Sequence, residues 1–548
     1  MNGLRVRWLG HVAYQDALAL QHGLFERPGR DYLLLLEHPH TYTLGVNADP
    51  SHVLVDPATV GAELVRADRG GDVTYHGPGQ LVGYPVLSVP VRPGSTAAHV
   101  AAVEQVVIDT LGSFGIVAGR LAGYPGVWVD ADGARPRKIC AIGVRLGRGR
   151  SMHGFALNVD PDLAMFGHIV PCGIADKAVT SMAAEGVHVP MREVVERLVD
   201  RAGRMWGPVA DAAEVAWRVV PSDLAPFSRG AEAGDGLTGR RRIRLVEAGV
   251  DPDAGLQVAA RKPPWLRVRA DMGPAYRSLR ATMRSLDLVT VCEEAGCPNI
   301  YECWADGTAT FMINGERCTR ACGFCLVDTS RPLPLDPGEP ERVADAVERM
   351  ALSYAVVTAV ARDDLPDGGA GGFAATIAAV RARCPGTSVE VLIPDCKGSP
   401  QSLSTIFEAR PDVLNHNLET VARLQRAVRP SASYARSLSV LARAWAAGLV
   451  TKSGLMVGLG ETREELLSAM DDLAAVGVSI LTVGQYLRPS AAHLPVARWW
   501  TPEDFGALAE DARVMGFAHV EATPLTRSSH HARAAAGAAG VGSPTVAV

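Results

Sequence analysis

The run CEEAGCPNIYECWADGTATFMINGERCTRACGFC, residues 292–325, decides the reading of this chain. It holds six of the ten cysteines in 548 residues, and they divide into two triplets. Cys292, Cys297 and Cys303 are spaced C-x4-C-x5-C; Cys318, Cys322 and Cys325 are spaced C-x3-C-x2-C. A structural zinc site draws on four ligands, commonly paired C-x2-C knuckles or added histidines. This run has no histidine and one such pair, Cys322 with Cys325. A disulfide framework belongs to short secreted chains, which this is not. Three thiolates on a four-iron, four-sulfur cluster leave one iron open to a substrate, a cofactor or an unusual protein ligand.

Downstream of the run, strand-like and helical stretches alternate. TFMIN (310–314), YAVVTAV (354–360), VEVLIP (389–394), DVLNHN (412–417), TKSGLMVG (451–458) and ILTVGQYL (480–487) read as strands, with helical spacing between them. Six such units predict an α/β domain, a partial (β/α)6 barrel whose ligands meet the C-terminal ends of the strands. The C-x3-C-x2-C loop follows the first strand, Gly368, Gly369 and Ala370 the second, and Asn417 and Glu419 the fourth. C-x3-C-x2-C before such a run resembles the radical S-adenosylmethionine superfamily. The upstream C-x4-C-x5-C triplet narrows the likeness to lipoyl synthase. RKPPWLRVRADMG (261–273), RDDLPDGGA (362–370), HNLETVARLQRAVRP (416–430), SGLMVGLGET (453–462), VGQYLRPSAAHLPVARWW (483–500) and RSS (527–529) carry it over roughly 241–533.

That resemblance implies two 4Fe-4S clusters and S-adenosyl-L-methionine. One cluster would sit on Cys318, Cys322 and Cys325 and reduce the cofactor to a 5′-deoxyadenosyl radical. Gly368 and Gly369 would hold the cofactor's amino group. Asn417 and Glu419 would contact cofactor or substrate, a capping role being the alternative for Glu419. The radical would take hydrogen from carbons six and eight of an octanoyl chain, bonds beyond the reach of side-chain acids and bases. The second cluster, on Cys292, Cys297 and Cys303, would be consumed as the sulfur source. Its labile fourth ligand would be Ser529 or, as the alternative, Ser528. The family's tyrosine after R-S-S is His530 here, followed by His531, and a histidine competes for that iron. Gly372 and Cys396 also depart from the family and read as neutral; Cys384 reads as structural. An electron donor such as flavodoxin or ferredoxin is implied.

Upstream, LRVRWLG (4–10) and YLLLLEH (32–38) read as strands around a helix at 14–26. RGGDVTYHGPGQLVGYPV (69–86) is glycine-rich, but it matches neither the phosphate-loop nor the dinucleotide-binding pattern. A helix at 97–116 precedes strands at 127–130, 138–149 and 153–159, predicting an α+β domain. Four ordered motifs, RGGDVTYHGPGQ, RKICAIG, HGFALNV and PCGI, resemble the octanoyltransferase of the lipoate pathway over roughly 1–215. That family shares the biotin/lipoate ligase-like fold. The resemblance implies Cys172 of P-C-G as nucleophile and Lys138 of R-K-I as its activating base. Its substrate pocket would comprise Arg69, Gly70, Gly71, Asp72, Val73, Thr74, Tyr75, His76, Ala141, Ile142, Gly143, Gly154, Phe155 and Ala156. A free thiol is a few per cent thiolate at neutral pH, so a nearby ammonium that lowers its pKa is chemically apt. Cys140, two residues from Lys138 and on the same face of a strand, reads as packing.

Length predicts two to four domains. We expect an octanoyltransferase domain over 1–220, a flexible linker over 221–242, a lipoyl synthase domain over 243–533 and a disordered tail over 534–548. The net charge of −5 argues against nucleic-acid binding, and no apolar run reaches membrane-spanning length. Cluster-ligating thiols need a reducing compartment, so the expectation is cytoplasmic. The joint reading is a bifunctional enzyme of lipoate synthesis. It would take octanoyl from octanoyl-acyl carrier protein to a lysine of a lipoyl-domain carrier, in 2-oxoacid dehydrogenase subunits or the glycine cleavage H protein, and then insert two sulfurs. The alternatives are a lipoate ligase-like first half, or a carrier-binding scaffold with one half active.

Overall fold

The computed structural model describes residues 3–173, 177–217, 239–256, 261–267, 288–290 and 308–541, with seven isolated positions between 277 and 303. The chain divides into two compact units, Met1–Trp217 and Arg218–Val548.

The first unit is α+β. Its strands are β1 (Leu4–His11), β2 (Tyr32–Glu37), β3 (Thr41–Leu44), β4 (Glu63–Arg66), β5 (Val73–His76), β6 (Gln80–Val86), β7 (Ala118–Leu121), β8 (Tyr124–Val129), β9 (Arg137–Gly147), β10 (Arg150–Asn158), β11 (Ala178–Val179) and β12 (Val209–Glu214). The main sheet runs β12-β1-β2-β6-β10-β9-β8-β7, and β11 pairs with β9; β4-β3-β5 form a second, small sheet. Three helices, α1 (Tyr14–Glu26), α2 (Ser95–Gly112) and α3 (Met191–Trp206), pack on the main sheet. Val103, Val107 and Leu111 of α2 and Val194 and Leu198 of α3 share one core with Leu33, Leu35, Phe155 and Leu157. Each such buried side chain contributes about 1.5–3 kcal/mol of apolar transfer energy. Helix α1 packs instead against β6 and β10 through a separate set of residues. YLLLLE therefore lacks alternation because every residue of β2 is buried.

The second unit carries β13 (Val289–Thr290), β14 (Thr308–Ile313), β15 (Tyr354–Ala359), β16 (Ser388–Leu392), β17 (Val413–Asn415), β18 (Thr451–Val457), β19 (Ile480–Gln485) and β20 (His519–Ala522) in one sheet in chain order. From β14 to β20 all neighbours are parallel, and β13 is an antiparallel edge. The helices are α4 (Gly239–Glu247), α5 (Glu339–Arg349), α6 (Ala370–Arg383), α7 (Pro400–Glu408), α8 (Tyr434–Ala446), α9 (Arg463–Ala475), α10 (Pro502–Met515) and α11 (Ala532–Ala538). Capping boxes start α9 and α10: Thr462 with Glu465, and Thr501 with Asp504. Val343 and Val347 of α5 and Phe373 and Ile377 of α6 cover Phe311, Val357, Val389 and Val391. The alternate strand positions face the other way. There Glu390 binds Lys452 Nζ at 3.0 Å, the Tyr354 hydroxyl at 2.9 Å and Asn415 Nδ2 at 3.1 Å, all buried.

Three expectations need correction. The barrel has a seventh parallel strand, β20; HVEA is short and lacks a clear apolar alternation, which hid it. The segment 221–242 is not all linker, because α4 begins at Gly239; residues 218–238 lie outside the described ones. The stretch from 534 is not a disordered tail throughout. Ala532, Ala535 and Ala536 of α11 are buried against Tyr354, Val356, Val413 and Ile480, inward positions of the barrel strands. Alanine repeats look featureless in sequence, but alanine has the highest helix propensity and its small side chain fits a narrow barrel interior. Residues 542–548 lie outside the described ones. Among the described residues no helix is long and apolar enough to cross a membrane.

Candidate functional site

In the first unit the RGG loop folds onto β9. Gly70 N donates to Val144 O at 3.0 Å, and Gly143 permits the approach, since a Cβ there would stand 3.0 Å from Gly70 O. Between them opens a cavity of about 360 Å³, in the range of small-molecule sites. Arg69, Gly70, Gly71, Asp72, Thr74, His76, Lys138, Ala141, Ile142, Gly143, Gly154, Phe155 and Ala156 line it. Val73 and Tyr75 do not. The two-residue period of β5 turns them into a separate core with Tyr42, Phe166 and Ile169, and we correct their assignment.

The polar groups of the cavity are held by one another. Arg69 donates to Thr43 O and Oγ1, both at 2.7 Å. His76 Nδ1 bonds Gln80 Oε1 at 2.9 Å, and Gln80 Nε2 donates to Asn158 Oδ1 at 2.9 Å. Burial, then the neighbouring His38 and Arg69, hold the His76 pKa well below the usual imidazole value. Burial also pushes the Tyr14 phenol up to about 12. His76, Tyr14 and Tyr84 are therefore neutral at physiological pH.

Lys138 is buried, its Nζ 4.8 Å from the centre of the Trp128 ring. Among the described residues it makes no ion pair. Gly126, at φ +125°, leaves the space beside it; a Cβ there would stand 3.4 Å from Lys138 Cε. Cys172 belongs to the short turn Pro171–Gly173, whose Gly173 lines the cavity; the Cys172 side chain lies outside the described residues. Cys140 does not share the face of Lys138. A bulge sets Trp128 opposite Lys138 and Val127 opposite Cys140, skipping Ile139, and turns Cys140 into the core. Burial raises its thiol far above the ordinary range, which suits packing.

The motifs did not single out Tyr14, Tyr84, Tyr124 or His153, which also line the cavity. His153 opens the HGFALNV motif and is a non-glycine residue at φ 58°, with Nε2 2.7 Å from Asp68 Oδ1. A polar residue immediately before the strand glycine was the available signal.

In the second unit Cys318, Cys322 and Cys325 share one loop after β14. Cys318 N donates to Asp328 O at 2.8 Å, Gly323 N to Val428 O at 2.8 Å, and Cys325 O meets His493 Nε2 at 2.9 Å. The Cys322 thiol is pushed up to about 11, by burial first; Cys325, Glu419 and Cys318 raise it further and Arg429 opposes them. Three thiols and a carboxyl, all half-buried, thus lie near enough to act on the Cys322 charge. Asn417 Nδ2 donates to Glu419 Oε1 at 3.1 Å and to Ser528 Oγ at 2.7 Å, while its buried Oδ1 has no hydrogen-bond partner among the described residues. Glu419 caps no helix: it sits at φ 69° and its N–H donates to Gly454 O at 2.9 Å. Gly368 and Gly369 both take positive φ before α6, and a Cβ on Gly369 would stand 2.6 Å from Asn314 Nδ2. Three unpaired thiols on one loop, with an orphaned acceptor on Asn417, have the donor chemistry for an iron–sulfur cluster and a polar cofactor.

Of the upstream triplet, Cys303 is described and buried; Cys292 and Cys297 lie outside the described residues. Cys303 N donates to Asn299 O at 2.9 Å, and Asn299 Nδ2 donates to Leu525 O at 2.7 Å. These bonds join the triplet's segment to the one that carries Ser528 and Ser529, both half-buried.

The second unit matches a lipoyl synthase protein from Rubrobacter xylanophilus at 58% identity over 273 residues, 50% of this chain and 85% of that one. This chain belongs to the lipoyl synthase family. A lipoyl synthase from Mycobacterium avium is 53% identical over 294 residues, 54% of this chain and 94% of that one. Family models for the N-terminal domain of lipoyl synthase and for the radical SAM superfamily match residues 248–297 and 312–473. The model for the lipoyl protein ligase A/B catalytic domain matches residues 12–202. A bi-partite lipoate protein ligase from Thermoplasma acidophilum is 19% identical, with a TM-score of 0.33, over 38% of this chain and 87% of that one. The chain is thus a fusion of a ligase/octanoyltransferase-type catalytic domain with a lipoyl synthase, and it acts in lipoate biosynthesis with radical SAM sulfur insertion. Iron–sulfur clusters of the 4Fe-4S type and S-adenosylmethionine come with that family.

Proposed function

We propose that the first unit transfers octanoyl from octanoyl-acyl carrier protein to a lysine of a lipoyl-domain carrier, and that the second inserts two sulfurs into that octanoyl group. The observation that carries the first step is a buried lysine in a cavity edged by the turn that bears Cys172. The Lys138 ammonium would favour the Cys172 thiolate. The thiolate attacks the thioester carbonyl, the carrier's sulfur leaves as a thiol with the proton of the Lys138 ammonium, and octanoyl rests on Cys172. The incoming lysine amine then attacks that thioester and gives its proton to the now neutral Lys138, Cys172 leaves as the thiolate, and the ammonium–thiolate pair is restored. His76, Tyr14 and Tyr84, all uncharged, would border the acyl chain.

In the second unit, Cys318, Cys322 and Cys325 would hold one cluster, with Gly368, Gly369, Asn417 and Glu419 set around the cofactor. Cys292, Cys297, Cys303 and Ser529 would hold a second. When bound, these groups supply the radical and the sulfur that an unactivated C–H bond requires. The chain's own part is to bury the thiols, to orient Asn417 through Ser528 and Glu419, and to balance their charge with Arg429. Flavodoxin or ferredoxin would serve as electron donor.

Intact-mass spectrometry of a lipoyl domain incubated with the cluster-loaded chain, octanoyl-acyl carrier protein, S-adenosylmethionine and a reductant tests both steps. A shift to octanoyl and then to lipoyl supports the proposal. Modification that requires ATP and free acid instead would favour a ligase in the first unit, since adenylation needs no thioester.

A further inference from the structure

We propose that Glu521, His530 and His531 form a mononuclear site for a divalent first-row transition metal, separate from the cysteine-bound clusters. Glu521 lies in β20, and the two histidines stand directly after Ser529. Their ligand-capable atoms lie within 4.8 Å of one another. Glu521 Oε1 is 3.7 Å from His530 Nδ1 and 3.4 Å from His531 Nδ1. Both distances exceed the usual length of about 2.7–3.2 Å for a good N–H···O bond. They are near the edge of a ligand tetrahedron, since donors about 2.1 Å from zinc stand about 3.4 Å apart. The donors come from two elements, and the His530 and His531 rings stack at 3.9 Å in the free site, so binding one metal through both Nδ1 atoms would require the two rings to turn apart. His519 adds a further nitrogen, its Nε2 3.8 Å from Glu521 Oε2 and buried without a hydrogen-bond partner among the described residues.

Two imidazoles and one carboxylate suit ferrous iron or zinc and disfavour calcium or magnesium, which take oxygen donors. The site is part open: His530 is 7% exposed, whereas the His531 side chain is 43% exposed. Exchange with solvent metal is therefore possible while one wall stays fixed. A metal here would tie β20 to the segment that carries Ser528 and Ser529, and Ser528 already accepts from Asn417. Bound metal would hold that segment still.

Zinc is the suitable probe, because elemental analysis separates it from cluster iron. The full, cluster-loaded chain is dialysed against zinc and desalted, then read by elemental analysis and by X-ray absorption at the zinc edge. The expected result is one zinc per chain with nitrogen and oxygen neighbours. Glu521→Gln and His531→Ala should weaken it by more than the about 10- to 100-fold that outer-shell substitutions cost. Iron and sulfide content should be unchanged in both variants. His530→Tyr, a ring of similar bulk without the nitrogen donor, guards against misfolding and should lose zinc equally. Hydrogen exchange at 523–531 should slow on adding zinc to the unsubstituted chain alone. Failure to retain zinc, sulfur in its coordination shell, or equal zinc in all variants would overturn the assignment.

Discussion

The two units prepare their reactive groups in opposite ways. Around the first cavity, polar side chains satisfy each other: Arg69 with Thr43, His76 with Gln80, His153 with Asp68. Lys138 alone faces an aromatic ring rather than a carboxylate. In the second unit, groups that would repel when ionised crowd together: after burial, Cys318 and Glu419 raise the Cys322 and Cys325 thiols, and Arg429 opposes them at Cys322. In the first cavity the polar groups are finished by protein partners. A site built to hold a cofactor keeps donors in excess, at a cost that only the cofactor offsets.

This contrast can be broken by single substitutions. The largest effect expected is from Cys318→Ala, which should abolish lipoyl product while octanoyl transfer continues, read on one mass spectrum of the carrier. Lys138→Ala should slow octanoyl transfer by roughly 10²–10⁴, the range for general acid–base groups, and leave sulfur insertion on a pre-octanoylated carrier intact. Lys452→Met strands Glu390 as a buried lone charge and should cost about 3–5 kcal/mol. Hydrogen exchange should place that loss in the second unit, and adding Glu390→Gln should recover part of it.

A difference between the units, rather than the loss of one group, is tested by acid. His38, His76, His99 and His153 in the first unit all have pKa values lowered by burial, His38 to about 4. Folded, they bind protons later than when unfolded, so stability falls as pH drops below about 6.5, by up to about 1.4 kcal/mol per unit for each fully buried group. In the second unit His416 and His493 act the same way. There Glu339, Glu419 and Glu461, raised by burial, act in reverse, because the folded state takes up protons first. Hydrogen exchange at pH 7 and pH 5 should show the first unit losing more protection. Equal loss in both would mean that burial of these carboxyls offsets nothing.

Much of this was legible. Cysteine spacing and glycine motifs mark the places where backbone must approach a ligand, and regular β/α alternation located six parallel strands within a few residues. Alternation within a motif was less visible: VTYH carries two cavity residues and two core residues, and only the register of β5 tells which. The bulge at Ile139 likewise changes the facing of Cys140 without altering its spacing from Lys138. His153 and Tyr14 reach the cavity from elements whose sequence shows only that they are buried.

Helix α11 lies after every strand it packs against, and Ala535 stands 181 positions beyond Tyr354. During synthesis the first unit is complete more than 300 residues before this helix emerges. Domains generally fold as units in the order they are made, and contacts of long sequence separation form slowly. The pocket that would receive the acyl group can therefore be in working order on the ribosome while the barrel still awaits its innermost piece. Premature termination anywhere between the two would release a chain with a folded first unit and a second unit unable to bury its own interior.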